Sequence, residues 1–330
     1  MKSGLHRLAV IAALIAFCVI VLGAYVRLSH AGLGCPDWPG CYGKLTWPAE
    51  ASEISNANQV FPERPVETDK AWKEMAHRYL AGALVLIVVA INVLAWMKEG
   101  SSRQFRSLAG FLLLVILFQA ALGMWTVTLK LKPIVVMGHL MGGLTTFALL
   151  LWLAFRSGNR EAVAADRSTS RYRPLIITAT LVLVMQLMLG GWTSANYSAL
   201  ACPDFPTCQG EWWPETNFSE GFVLWREIGV DYEGGLLDLP SRVAIQLTHR
   251  IGAVVALLVM GLLSFRLFRD SSTRPYGFLL GALLLSQVTL GILNIVLYLP
   301  LPNAVAHNAG GALLVAMMVW LLYRSRPGPA

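Results

Sequence analysis

The chain has 330 residues, of which 56% are hydrophobic and only 14% charged, whereas soluble globular domains carry about 25% charged residues. A composition this apolar excludes a soluble globular enzyme and places the chain in lipid. The formal net charge of +7 is not a nucleic-acid signature, because the excess bases sit in short connections beside apolar stretches, where they set membrane topology.

Eight apolar stretches are long enough, at about 1.5 Å rise per residue, to cross a hydrocarbon core of about 30 Å. In chain order the spans are predicted over 8–26, 77–97, 108–129, 134–155, 174–194, 243–265, 275–298 and 304–323. The first follows Lys2 and Arg7 and imitates a secretory signal. Its apolar run exceeds a usual signal core and no small-residue cleavage site follows, so it reads as a retained helix. Cys18 within it reads as a small buried apolar side chain.

Both termini and the connections after the second, fourth and sixth spans hold 15 of the 26 Lys and Arg but only 4 of the 19 acids. By the positive-inside rule these segments are cytoplasmic. Arg156, Arg160, Arg167, Arg171 and Arg173, between spans four and five, then read as a topogenic linker. The two long connections, 27–76 and 195–242, fall on the outer face, are rich in Pro, Gly and Trp, and each is expected to form a small ordered cap. Trp38, Trp47, Trp72, Trp192, Trp212, Trp213 and Trp225, in or beside them, read as interface anchors.

The second half of the chain repeats the first. CPDWPGC at 35–41 returns as CPDFPTC at 202–208, His77-Arg78 as His249-Arg250, and His139-Leu-Met-Gly-Gly as His307-Asn-Ala-Gly-Gly. Gln119-Ala-Ala-Leu-Gly returns as Gln287-Val-Thr-Leu-Gly. Each copy has an even number of spans, so both enter the membrane in the same direction, as parallel repeats about an axis along its normal. The predicted fold is an all-α integral membrane protein: eight transmembrane helices as two tandem, pseudo-twofold-related four-helix bundles. The halves are 1–156 and 174–330, joined by a cytoplasmic linker over 157–173.

Cys35 with Cys41, and Cys202 with Cys208, are pairs on the predicted oxidising side, where disulfides are the default. The five-residue spacing is wider than zinc sites use, which argues against a four-cysteine metal site. Spacing alone leaves open whether these short rings are structural or redox-active.

Of six histidines, His6 lies in the tail and His30 in the first outer loop. His77, His139, His249 and His307 stand at the outer ends of even-numbered spans, at one depth. Metal-binding residues inside a span are functional candidates by default, and four at equivalent points of a duplicated unit strengthen that reading. In each half two imidazoles can approach a flat ligand from opposite sides within the bundle. Two histidines without Asp, Glu or Cys partners suit haem, whose porphyrin supplies the other four donors. Gly142-Gly143 and Gly310-Gly311, one turn on, read as room for a porphyrin face, and Arg78 and Arg250 as either propionate partners or interface anchors. The copies stop matching three residues before the first ligand, where Glu74 faces Gln246. Only the carboxylate can take a proton at ordinary pH, so chemistry is expected in the first half and a retained cofactor in the second.

At these residues the chain resembles the haem A synthase family, the membrane enzymes related to the Cox15 proteins, in its bacterial form with cysteine-paired outer loops. The resemblance spans essentially the whole chain and rests on RLSHAGLGCPDWPGC at 27–41, EMAHR at 74–78, GHLMGG at 138–143, CPDFPTC at 202–208, THR at 248–250 and HNAGG at 307–311. It implies an oxidoreductase of the bacterial inner membrane that oxidises the C8 methyl group of haem O to a formyl group, giving haem A for terminal oxidases. His77 and His139 then match the substrate-haem ligands, Glu74 the essential acid, and His249 and His307 the ligands of a haem b cofactor. The implied partners are haem O, the haem O synthase that supplies it, an electron acceptor and membrane lipid, with a homo-oligomer left open. A dihaem membrane protein that oxidises quinol is the rival reading, and it has no special need of Glu74.

Overall fold

The structure is a computed structural model, described over residues 2–97, 102–158 and 166–327. Part of the 157–173 linker, including Arg160, lies outside the described residues. In chain order the helices are α1 (Lys2–Leu28), α2 (Ala51–Val60), α3 (Thr68–Met97), α4 (Arg103–Thr128), α5 (Pro133–Ser157), α6 (Arg167–Ser170), α7 (Arg173–Ala195), α8 (Phe218–Gly221), α9 (Leu239–Arg269), α10 (Arg274–Val296) and α11 (Leu301–Arg324). Among the described residues there is no strand, and eight helices, all but α2, α6 and α8, are long and apolar enough to cross a membrane. The chain is a multi-pass membrane protein.

Helix ends follow local chemistry. Five of the eight long helices, α5, α7, α9, α10 and α11, carry proline in the first turn, where its missing N–H takes nothing from the helix. Asp238 caps α9 by accepting from the Ser241 amide at 3.0 Å. The two loop-following helices begin earlier than apolarity predicts: α3 at Thr68 instead of 77, and α9 at Leu239 instead of 243. Their first turns are polar and continue the helix beyond the apolar segment, which hydropathy does not register. His77 and His249 therefore lie well inside their helices, not at the ends.

α1 packs on α3 and α5, and α4 on the same two; α9 packs on α7 and α10, and α11 on the same two. The two groups meet where α1 and α5 face α11 and α7. Away from the cysteine loops each group is filled by apolar side chains. In the first, Ala9, Ala12, Ala13 and Ala16 of α1 form a small-residue stripe against Leu84, Val88 and Ile91 of α3 and Leu150 and Leu153 of α5. In the second, Ile176, Met260, Leu263, Leu280 and Met318 do the same. The histidines occupy the other end of each group, nearer the loops.

Both cysteine pairs are bonded, with Cα–Cα distances of 4.8 Å for Cys35–Cys41 and 4.5 Å for Cys202–Cys208. The two rings share their architecture. Asp37 accepts from the amides of Tyr42 and Gly43, and Asp204 from those of Gln209 and Gly210. Tyr42 and Gln209 both adopt left-handed φ, 53° and 57°, to close the turn. Beyond the rings the loops diverge, for α2 has no counterpart of its length in the second. Two readings are corrected. Cys18 is exposed on the outside of α1 and not buried, because the inward stripe of that helix is taken by alanines. Trp192 is 2% exposed and donates to the Gly221 carbonyl at 2.9 Å, so it packs under the second loop and does not anchor an interface.

Candidate active site

Each of the four histidines rests against a glycine of a neighbouring helix. A Cβ at Gly23 of α1 would lie 2.9 Å from His77 Cε1, one at Gly123 of α4 3.1 Å from His139, one at Gly190 of α7 3.2 Å from His249, and one at Gly291 of α10 3.1 Å from His307. Those contacts are tighter than van der Waals packing allows, so any larger residue would push the ring aside. The helices are thus cut away at four points to seat imidazoles. Gly123 and Gly291 close the repeated Gln-x-x-Leu-Gly motif, whose role the sequence did not reveal, and Gly23 and Gly190 were missed; each of the four ends a Leu-Gly step, at 22–23, 122–123, 189–190 and 290–291.

The structure brings the predicted partners together. The rings of His77 and His139 stand 6.4 Å apart between centres at an interplanar angle of 81°. Two metal–nitrogen bonds of about 2 Å each, with the half-width of each ring, account for such a spacing. His249 and His307 lie within electrostatic reach of one another. His77 Nδ1 and His307 Nδ1 are buried without a hydrogen-bond partner, as suits nitrogens that await another group. Among the described residues no cluster of three or more His, Cys, Asp or Glu could hold a bare metal ion. A centre held by two imidazoles fits a metal whose remaining positions are filled by its own macrocycle, and these residues fit a haem.

Glutamines complete the setting. Gln119 Nε2 lies 3.0 Å from His139 Nδ1, Gln186 Nε2 3.1 Å from His249 Nδ1, and Gln287 Nε2 3.4 Å from His307 Nε2. The glycines after the ligands have a different task from the one expected. A Cβ at Gly142 would meet Gln119 Oε1 at 2.1 Å, one at Gly310 would meet Gln287 Oε1 at 2.2 Å, and Gly311 packs on Leu187. They make room for the amides and for helix contact, not for a porphyrin face.

Glu74 is 4% exposed, and its carboxylate turns to the disulfide loop. Oε2 accepts from the Cys35 amide at 2.9 Å and Oε1 from Arg78 at 2.5 Å. Arg78 also donates to the carbonyls of Asp37, at 2.8 Å, and Gly40. Gln246, the counterpart of Glu74, is equally buried, with Oε1 unpartnered. Arg250 accordingly spends its donors on the carbonyls of Cys202, Asp204 and Thr207 at 3.0, 2.8 and 2.7 Å. Both arginines are clamps on the disulfide loops, and Arg250 Nε is left without a partner. Below its loop, Tyr42 is buried against Phe61, and burial pushes its phenol up to about 12, so it stays a neutral donor to the carbonyls of Arg64 and Pro65.

Half-buried imidazoles in pairs, carried by membrane-length helices beneath disulfide-closed loops, define a class: multi-pass membrane proteins built to hold a metal-centred group between helices. The chain belongs to the COX15-CtaA family of cytochrome oxidase assembly proteins, whose profile it matches over residues 6–319. It is 47% identical over 305 residues to the heme A synthase of Shewanella oneidensis, covering 92% of each chain. It is 27% identical over 332 residues to that of Shouchella clausii, 98% of this chain and 96% of the relative. With the heme A synthase of Beijerinckia indica it shares 29% identity over 335 residues, 93% of this chain and 89% of the relative.

Proposed function

We propose that the chain is a haem A synthase, which oxidises the C8 methyl group of haem O to a formyl group. The observation that carries this reading is the facing pair His77 and His139, spaced for one metal between them, in a chain 47% identical to a heme A synthase. The first half, 1–156, holds the substrate haem between these two histidines. The second, 174–330, holds a haem b between His249 and His307. That haem supplies a one-electron path out of the first half toward an acceptor.

The chain's own residues divide the remaining work. Gly23 and Gly123 let the two imidazoles stand over one another, and Gln119 fixes the ring of His139. Glu74, one helical turn before His77, is the acid of the site. A carboxylate has lone pairs beyond the two that Arg78 and Cys35 engage, so Glu74 can accept a proton at Oε1 at the expense of its ion pair with Arg78. It thereby links protonation at the site to the clamp on the Cys35–Cys41 loop. The apolar filling of the opposite end excludes water from below.

The distribution of Lys and Arg supports insertion in a bacterial inner membrane with both termini cytoplasmic and the cysteine loops outside. A haem O synthase is the source of substrate that this reaction requires. The test is pigment extraction after expression in a host that makes haem O. Appearance of haem A is the expected result. Bound haem with no haem A at all would refute the synthase and leave the quinol-oxidising dihaem protein.

A further inference from the structure

The end of the second half opposite its cysteine loop carries a cleft of about 620 Å³ between the start of α7 and the last turns of α9. It is lined by Arg171, Arg266, Arg269 and Asp270, with the rings of Tyr172 and Phe265. Asp270 is already taken, for it pairs with Arg171, whose guanidinium also donates to the Tyr172 hydroxyl at 2.5 Å. Tyr172 in turn donates to the Arg266 carbonyl at 3.2 Å, which ties the start of α7 to α9. Arg269 lies over the Phe265 ring at 5.7 Å, and neither it nor Arg266 meets a carboxylate among the described residues. The cleft therefore keeps two exposed, uncompensated guanidiniums one helical turn apart.

The repeat supplies an internal comparison. Carried back by the steps that relate His249 to His77 and Gly190 to Gly23, the positions of Arg171, Tyr172, Phe265, Arg266 and Arg269 become Gly4, Leu5, Val93, Leu94 and Met97. Packing of this helix pair does not need the charges, since the first half does without them. A charge that serves topology alone can stand anywhere in a connection, whereas here three converge on one cleft. The flank of α9 that leads to it is apolar and open. Leu258, Leu262 and Phe265 are 66%, 46% and 54% exposed, and with Arg269 they follow helical spacing along one face. From Leu258 to Arg269 that face rises about 16 Å at about 1.5 Å per residue, roughly half the hydrocarbon core of about 30 Å. An apolar strip one leaflet deep, ending in two free guanidiniums, has the length and polarity of a phospholipid.

We propose that this cleft binds the phosphodiester of an anionic phospholipid, with Arg266 and Arg269 on its oxygens and an acyl chain along Leu258, Leu262 and Phe265. Guanidinium forks match phosphate oxygens, and basic pockets between membrane helices take anionic headgroups. Three arginines against one aspartate favour a headgroup of net negative charge over a zwitterionic one, whose own cation is repelled. A free phosphate would leave the apolar flank unused. The site lies at the far end of the second half from its histidines and is independent of what they hold.

Full-length protein, stripped of lipid in non-ionic detergent, is titrated with phosphatidylglycerol or with phosphatidylcholine of the same acyl chains, and bound lipid is counted by native mass spectrometry. Phosphatidylglycerol should be retained and phosphatidylcholine lost. Arg266→Gln with Arg269→Gln should weaken one bound phosphatidylglycerol about 10-fold, the scale of a lost charge-assisted hydrogen bond. Arg7→Gln with Arg326→Gln, an equal loss of charge at the same end, should leave it in place. Equal retention of the two lipids, or an equal effect of the two variant pairs, would overturn the site. Inorganic phosphate at millimolar concentration should not displace the lipid; if it does, the cleft is a free-anion site and the lipid assignment falls. A phosphatidylglycerol with a photoreactive acyl chain probes the unmodified protein, whatever becomes of the variants. Label should map to residues 258–265 of α9, and label that avoids this stretch would sink the proposal.

Discussion

Arg78 and Arg250 hold equivalent positions yet divide their donors differently, because one has a carboxylate within reach and the other an amide. Gln246 is thus a natural precedent for Glu74→Gln, which is expected to fold and bind haem while haem A formation drops by about 10²- to 10⁴-fold, the range for a lost acid–base group. Extracted haem O and haem A measure it, and conversion at the parent rate would make Glu74 a bystander. Gly142→Ala is expected to drive Gln119 from His139 and destabilise by about 1–3 kcal/mol, as overpacking does, with haem content as the readout. Asp204 is held below the usual carboxylate range by the Thr207 hydroxyl and then by the Gly210 and Gln209 amides. A depressed carboxylate stabilises above its unfolded value, about 3.9, and that contribution is lost as pH falls through the lower folded value. Phosphine reduction of Cys202–Cys208 should therefore accelerate on acidification in that range, and Asp204→Asn should remove the acceleration. The four histidines were legible because they recur at nearly constant offset in the sequence. The direction of Glu74 and the arginines was not, because it depends on loop carbonyls whose placement no spacing encodes.

At the scale of elements, all eight spans were legible from hydropathy, while the starts of α3 and α9 were not, since polar turns extend them past the apolar run. Each seven-residue ring hangs over the end of such a helix and is tied to it by one arginine. Closing a ring this short contributes about 2 kcal/mol of chain entropy. Cys35→Ala with Cys41→Ala is expected to lower stability by about that amount and to weaken haem retention in the first half, because the Cys35 amide holds Glu74. Haem content and thermal unfolding in detergent report both effects. The alanine stripe of α1 makes a separate prediction. Ala12 is fully buried, and Ala12→Leu should destabilise by about 1–3 kcal/mol through overpacking between α1 and its neighbours.

At the scale of the molecule, the repeat was visible in matched motifs, but the contacts between the groups of helices were not. Some are polar and lie in the long loops, where Arg64 of the first meets Asp231 at 3.1 Å and Glu233 at 2.6 Å in the second, and the Tyr232 amide donates to the Lys130 carbonyl at 3.0 Å. Arg27 reaches from α1 to the Ser194 carbonyl at 2.7 Å and stacks over Tyr197 at 4.1 Å. Residues 167 or 168 positions apart in a repeat do not reveal which faces of the two copies touch. If these contacts hold the halves together, chains divided within 159–165 and expressed together should co-purify, and Arg64→Ala should weaken that association by about 1 kcal/mol, the scale of a partly exposed ion-pair network.

The contact of α1 with α11 has a consequence for biosynthesis. α1 packs against α11, which is made much later, and Tyr323 of α11 donates to the Phe155 carbonyl at the end of α5 at 3.2 Å. At about 5–20 residues per second, a ribosome needs roughly tens of seconds to add what separates these segments. Throughout that interval the outward flank of α1 and α5 faces lipid or an insertion factor instead of its permanent neighbour. Ribosome-bound chains should therefore crosslink from this flank to lipid or to the insertion machinery until α11 has emerged, and to α11 thereafter.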